Sequence, residues 1–168
     1  MYRNISLIVT LLPILALTAC TTNQTQPSAA PTRSTVPVSH GGEVKDQVSF
    51  IDNLREKGIE VTFGDPVEQP FLQAKGSQLI LKGNALSDSS EIQAYNYDDA
   101  DLKTDGLKAA ESDAAEIDAS GDPITSKILW VGGPHWFRKD RLMVLYAGDD
   151  ANTIKVLEDL LGKQFAGK

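Results

Sequence analysis

From Glu43 onward the apolar positions change period several times, and each change marks an element. Val44, Val48, Ile51 and Leu54 recur at helical spacing and Gly58 follows as a stop, which predicts a helix from about Val44 to Lys57. Ile59, Val61 and Phe63 then alternate with Glu60 and Thr62, as in a strand with one buried face, and Gly64-Asp65-Pro66 breaks the run. Phe71 to Ala74 and Gln78 to Leu81 flank Lys75-Gly76-Ser77, a hairpin signal with glycine in the turn. Gly83-Asn84 closes that unit, and Glu91 to Tyr97 gives a fourth strand.

The period then returns to helical. Asp98 offers an N-cap, and Asp99 and Asp101 stand in the first turn, where acids suit the helix dipole. Ala100, Leu107, Ala110, Ala114 and Ile117 form a thin apolar stripe, weakened by Gly106, and Ser120-Gly121-Asp122-Pro123 ends it. Lys127 to Val131 reads as a strand and Gly132-Gly133-Pro134 as a turn. His135 to Arg138 and Arg141 to Ala147 bracket Lys139-Asp140 as a hairpin, and Leu142 to Tyr146, apolar on both faces, belongs in the middle of a sheet. Asp149 or Asp150 caps a last helix with Ile154, Leu157, Leu160 and Leu161 on one stripe. Gly162 stops it, and Phe165 folds back on it.

The predicted order is α-β-β-β-β-α-β-β-β-α. Most strand connections are too short for a helical crossover, so those pairs are antiparallel. The expected fold class is α+β, an antiparallel sheet with helices packed mainly on one face, in a single domain over residues 43–168.

The residues before this domain follow a different pattern. Met1 to Asn4 carry one base and no acid, and Ile5 to Leu17 are apolar or small apart from Ser6, Thr10 and Pro13. A bilayer span takes about 20 residues, so this run suits the apolar region of an export signal instead. It ends in Leu17-Thr18-Ala19-Cys20, which holds the chain's single cysteine. The tetrapeptide resembles the lipobox of bacterial lipoproteins, matching it at all four places. That resemblance implies a signal peptide over 1–19 and a thioether-lipidated, N-acylated Cys20. Thr21 in place of an Asp implies the outer membrane, facing the periplasm, in a Gram-negative host. Stable anchoring takes two membrane signals or more, which a triacylated cysteine provides. Cys20 has no partner cysteine, so an intramolecular disulfide is excluded.

Charge and composition narrow the partners. The whole chain has 16 Lys and Arg against 23 Asp and Glu, a formal charge of −7, and removal of residues 1–19 takes away only Arg3. Such a balance argues against nucleic acid, whose phosphates need a basic face. Residues 21–42 are rich in Thr, Ser, Pro, Gln and Gly, so with Cys20 they read as a lipidated flexible tether over 20–42.

The search for chemistry leaves little. Nucleophile elbows, phosphate loops and paired zinc ligands do not occur, and Asp98-Asp99 and Asp149-Asp150 read as helix caps rather than calcium ligands. His40 lies in the tether, so a triad would have to use His135. No catalytic residue, metal ligand or cofactor is assigned. One constellation remains. Trp130, His135, Trp136, Arg138 and Arg141 lie within twelve residues, with Lys139 among them. Trp and Arg are frequent anchors of binding surfaces. The patch reads either as core tryptophans beside a solvated hairpin tip or as a surface for a peptide, a sugar polymer or an acidic protein.

The domain is also similar to a group of small bacterial lipoprotein domains of unassigned activity. The similarity rests on Val67-Glu68-Gln69-Pro70-Phe71, Pro134-His135-Trp136-Phe137-Arg138, Leu145-Tyr146-Ala147-Gly148-Asp149-Asp150 and Gln164-Phe165-Ala166-Gly167. Three functions are consistent with these readings. The first is a non-catalytic, lipid-anchored binding or envelope-associated module. The second is a small envelope hydrolase using His135 or an acid pair. The third is an inhibitor or scavenger of a secreted macromolecule.

Overall fold

The computed structural model describes residues 42–98 and 104–168. Residues 1–41, on which the expected signal peptide, Cys20, His40 and most of the expected tether fall, lie outside the described residues, as do Asp99, Ala100 and Asp101. The described elements are α1 (Gln47–Glu56), β1 (Glu60–Val67), β2 (Gly76–Lys82), β3 (Ser90–Asn96), α2 (Gly106–Ala115), β4 (Pro134–Lys139), β5 (Leu142–Ala147), α3 (Ala151–Leu161) and β6 (Ala166–Gly167).

The strands form one sheet in the order β1-β2-β3-β5-β4-β6, with every neighbouring pair antiparallel. β1, β2 and β3 are a meander, and β4 and β5 are a hairpin. The two units join where Ile92 to Asn96 pair with Tyr146 to Leu142. β5 therefore sits inside the sheet, as its run of apolar residues requires.

Alternation along the strands feeds two cores. Leu142, Val144 and Tyr146 point to one face with Leu79, Leu81, Ile92 and Phe137. There they meet Phe50, Ile51 and Leu54 of α1 and Val156, Leu157, Leu160 and Leu161 of α3. Met143 and Leu145 point to the other face with Tyr95 and Trp136, against Ala109 and Ala110 of α2. Two of the three described helices share one face, and the fold is the expected α+β class.

The helix ends are capped by side chains. Asp46 accepts from the Ser49 amide in a reciprocal capping box, and Asp150 accepts from the Thr153 amide at 2.9 Å. Gly162 ends α3 at φ 88°, a left-handed conformation that glycine adopts without penalty.

Several elements differ from the sequence reading, each for a local reason. β1 continues through Gly64-Asp65-Pro66 to Val67, because the pairing shifts register between Phe63 and Pro66. β1 is an edge strand, where a proline forfeits no ladder bond. Phe71 to Ala74 is not a strand; Phe71 and Leu72 pack on the second core from a turn closed by Leu72 N–H to the Gln69 carbonyl. α2 begins at Gly106 under an Asp105 cap, while Asp98 pairs with Arg141. Gly106 opens the helix because a Cβ there would run into the Tyr97 carbonyl oxygen. Lys127 to Val131 joins no ladder, and two-residue β6 pairs with β4 at His135 and Trp136.

Candidate functional site

Strand alternation divides the five residues of the aromatic and cationic constellation. Trp136 is fully buried on the α2 face. Its ring lies edge-on to Phe71 and Trp130, and its Nε1 donates to the Gly121 carbonyl at 3.0 Å. His135, one residue earlier, points to the α3 face. It stacks on Tyr146 with centroids 6.0 Å apart, and its Nδ1 lies 2.6 Å from Gln164 Oε1. Arg138 is 3.7 Å from Glu111 of α2. Arg141, at the hairpin tip, holds Asp98 at 2.8 Å, and this partner raises its pKa. These residues serve different parts of the fold and do not converge on one surface.

Trp130 belongs to a separate structure, the loop between α2 and β4. An isolated bridge between Ile117 and Pro123 closes its first turn. Inside that turn Asp118 Oδ1 accepts from the Ser120 amide, the Ser120 hydroxyl and the Asp122 amide. The Ser120 hydroxyl contributes most to holding the Asp118 carboxyl down at about 2. Asp122 then ties down the next stretch. It accepts from Lys127 Nζ at 3.0 Å, from the Ile128 amide at 3.3 Å and from Trp130 Nε1 at 2.9 Å. Lys127 is the main cause of the lowered Asp122 pKa, and Asp122 is the main cause of the raised Lys127 pKa.

The loop so fixed presents apolar side chains to water. Exposure alternates with period two. Ile128 and Trp130 turn inward, while Lys127, Leu129 and Val131 turn outward. Leu129 and Val131 are fully exposed, and Ile124 is largely so. An open cleft of about 630 Å³ lies beside them, bounded by Asp122, Lys127, Trp130, Gly133, Asp149 and Lys168. A smaller groove of about 300 Å³ runs between Val131 and the sheet, over Gln78, Glu91, Gln93, Leu145 and Ala147. Gly132 fits only because it is glycine: a Cβ there would come 2.7 Å from Gly148 Cα.

The buried carboxylate of Asp113 accepts from Tyr97 OH, the Gln73 amide and Gln73 Nε2 at 2.6–2.8 Å. It is satisfied by its own fold and joins α2 to the sheet and to the 68–75 loop. Among the described residues, no group of three or more His, Cys, Asp or Glu side chains is placed to hold a metal ion.

Sequence reasoning found Trp130 but missed its surroundings. Their spacing predicts a strand for Leu129 and Val131 and the end of a helix at Asp122. The spacing Asp118-x-Ser120-x-Asp122, a pattern of side chains that bond nearby backbone, was the available signal. No family model, curated protein or solved structure matches the chain.

Proposed function

We propose that this protein is held to the cell envelope by lipid on Cys20 and that its domain is a non-catalytic binding module working through the loop from Asp118 to Gly133. Leu17-Thr18-Ala19-Cys20 and the absence of any other cysteine support the anchor. The observation that carries the binding reading is the exposure of Leu129 and Val131 on a loop braced by Asp122. Exposed apolar residues scattered singly need no explanation, but a preorganised pair beside a cleft is the form binding sites take. His135 counts against the hydrolase reading. It is buried, stacked on Tyr146 and engaged by Gln164, so a substrate has little access to its ring.

Two measurements test the proposal. Intact mass of the membrane-extracted protein should show the mass of lipid, and Cys20→Ser should remove it; lipid retained in that variant refutes the anchor. Photo-crosslinking in cells from position 129 should capture a discrete partner, while the same probe at Lys155, exposed on α3, should not. Equal labelling from both positions refutes the loop as the binding surface.

A further inference from the structure

We infer that Lys127–Val131 is a docking strand for an extended polypeptide with apolar side chains at alternate positions and basic side chains between them. The inference rests on the binding-module reading and names the partner's chemistry.

The segment carries a strand's side chains without a partner strand, up to the bend that begins at Val131. Its composition is that of a strand, and its exposure alternates as in an extended chain. Among the described residues, the amides of Leu129, Trp130 and Val131 donate to no protein acceptor. In an extended chain successive N–H groups point to opposite edges. Ile128 N–H goes to Asp122, so Leu129 presents its N–H and C=O groups to the other edge, and the unpaired Val131 amide follows at the bend. The segment is also held in place beforehand. Asp122 grips Lys127, Ile128 and Trp130, Trp130 packs edge-on to Trp136, and Gly132 seats against Gly148. An edge fixed in this way saves a partner much of the ordering cost of strand addition.

The unpaired amides choose among occupants. A bilayer would cover Leu129 and Val131 but would bury the amides without acceptors, which hydrocarbon does not tolerate. A second copy would pair the amides but bring together two domains that are each strongly acidic. An extended peptide satisfies both requirements. Its side chains of one parity lie beside Leu129 and Val131 as cross-strand neighbours. Those of the other parity point into the groove lined by Gln78 and Gln93, where the exposed Glu91 carboxylate favours a lysine or arginine.

The test is hydrogen exchange on the full-length protein in zwitterionic nanodiscs. The probe is a capped peptide of alternating lysine and valine. It should slow exchange across residues 128–132 by about tenfold. A form N-methylated at alternate residues, which removes one edge of donors, should have no effect, and neither should a glutamate–valine peptide. Leu129→Asp with Val131→Asp should abolish the slowing and leave the melting midpoint unchanged, because both side chains are solvent-exposed. Equal slowing by the N-methylated or the acidic peptide would overturn the inference, as would no slowing at saturating probe. Protection that rises with protein concentration alone would assign the edge to a second copy. Protection that depends on the lipid alone would assign it to the bilayer. A discrete partner crosslinked in cells from position 129, with no slowing by the lysine–valine peptide, would overturn the docking strand while leaving the loop a binding surface.

Discussion

The Tyr97 hydroxyl donates to Asp113 Oδ2 at 2.7 Å in a buried site that also takes both donors of Gln73. Burial, followed by the hydrogen bond and the negative charge of Asp113, pushes the Tyr97 pKa well above its ordinary value. The neutral phenol is the form the fold requires. Its contribution to stability is complete below the unfolded-state value of about 10 and is lost as pH rises beyond it. Tyr97→Phe should cost about 1–3 kcal/mol at neutral pH, since Asp113 loses a donor it cannot replace. The variant should also lose less stability than the parent between neutral pH and pH values above about 10. Urea unfolding across that range checks both outcomes.

Trp136 fills the second core and Trp130 covers its margin. Trp136→Ala should cost about 3–5 kcal/mol, the range for deleting a buried aromatic. Trp130→Ala should cost less, because the residue is only half-buried and its loop lies outside the sheet. Equal losses in thermal unfolding would mean that the loop is part of the cooperative core.

Asp150 caps α3, and its carboxyl is held at about 2, chiefly by the Ser87 and Thr153 hydroxyls. A lowered carboxyl pKa gives stability that is present above the unfolded value, about 4, and lost as pH falls through the folded value. Asp150→Ala should cost about 0.5–2 kcal/mol at pH 7. Asp150→Asn should keep most of the cap and show a shallower stability loss between pH values of about 4 and 2. Denaturant titrations at a series of acid pH values would reveal the difference.

Asp122→Asn should loosen the loop without unfolding the domain. The substitution weakens the hold on the exposed Lys127 and on Trp130 Nε1, which lies at the margin of the second core and not within it. Exchange at the Ile128 amide, the one in this segment that Asp122 holds, should accelerate by about tenfold, with the strand amides of β3 and β5 unchanged. Acceleration that spreads to β5 would show that the loop supports the sheet.

The sheet was legible because its strands carry regular alternation. Ile59 to Phe63, Gln78 to Leu81, Glu91 to Tyr97 and the β4–β5 hairpin all lie where their periodicity put them. The misread segments had the right composition and the wrong surroundings. Phe71 to Ala74 is apolar because it packs on Trp136, and it remains a turn because Asp113 takes the Gln73 amide. Lys127 to Val131 has a strand's side chains without a partner strand, and pairing is a long-range property that local spacing does not encode. The aromatic cluster was misleading for a similar reason. His135 and Trp136 are neighbours in sequence, and a strand sends neighbours to opposite faces. Nothing in the composition announced the Asp118–Asp122 turn except two acids and a serine at alternate positions.

β5 supplies side chains to both cores from consecutive positions, Leu142, Val144 and Tyr146 to one and Met143 and Leu145 to the other. It is also the strand through which the meander and the hairpin meet. Neither layer can melt and leave the other intact, because losing either frees the same strand. The domain should therefore unfold in one all-or-none transition with matching calorimetric and van't Hoff enthalpies, despite having helices on both sides of its sheet.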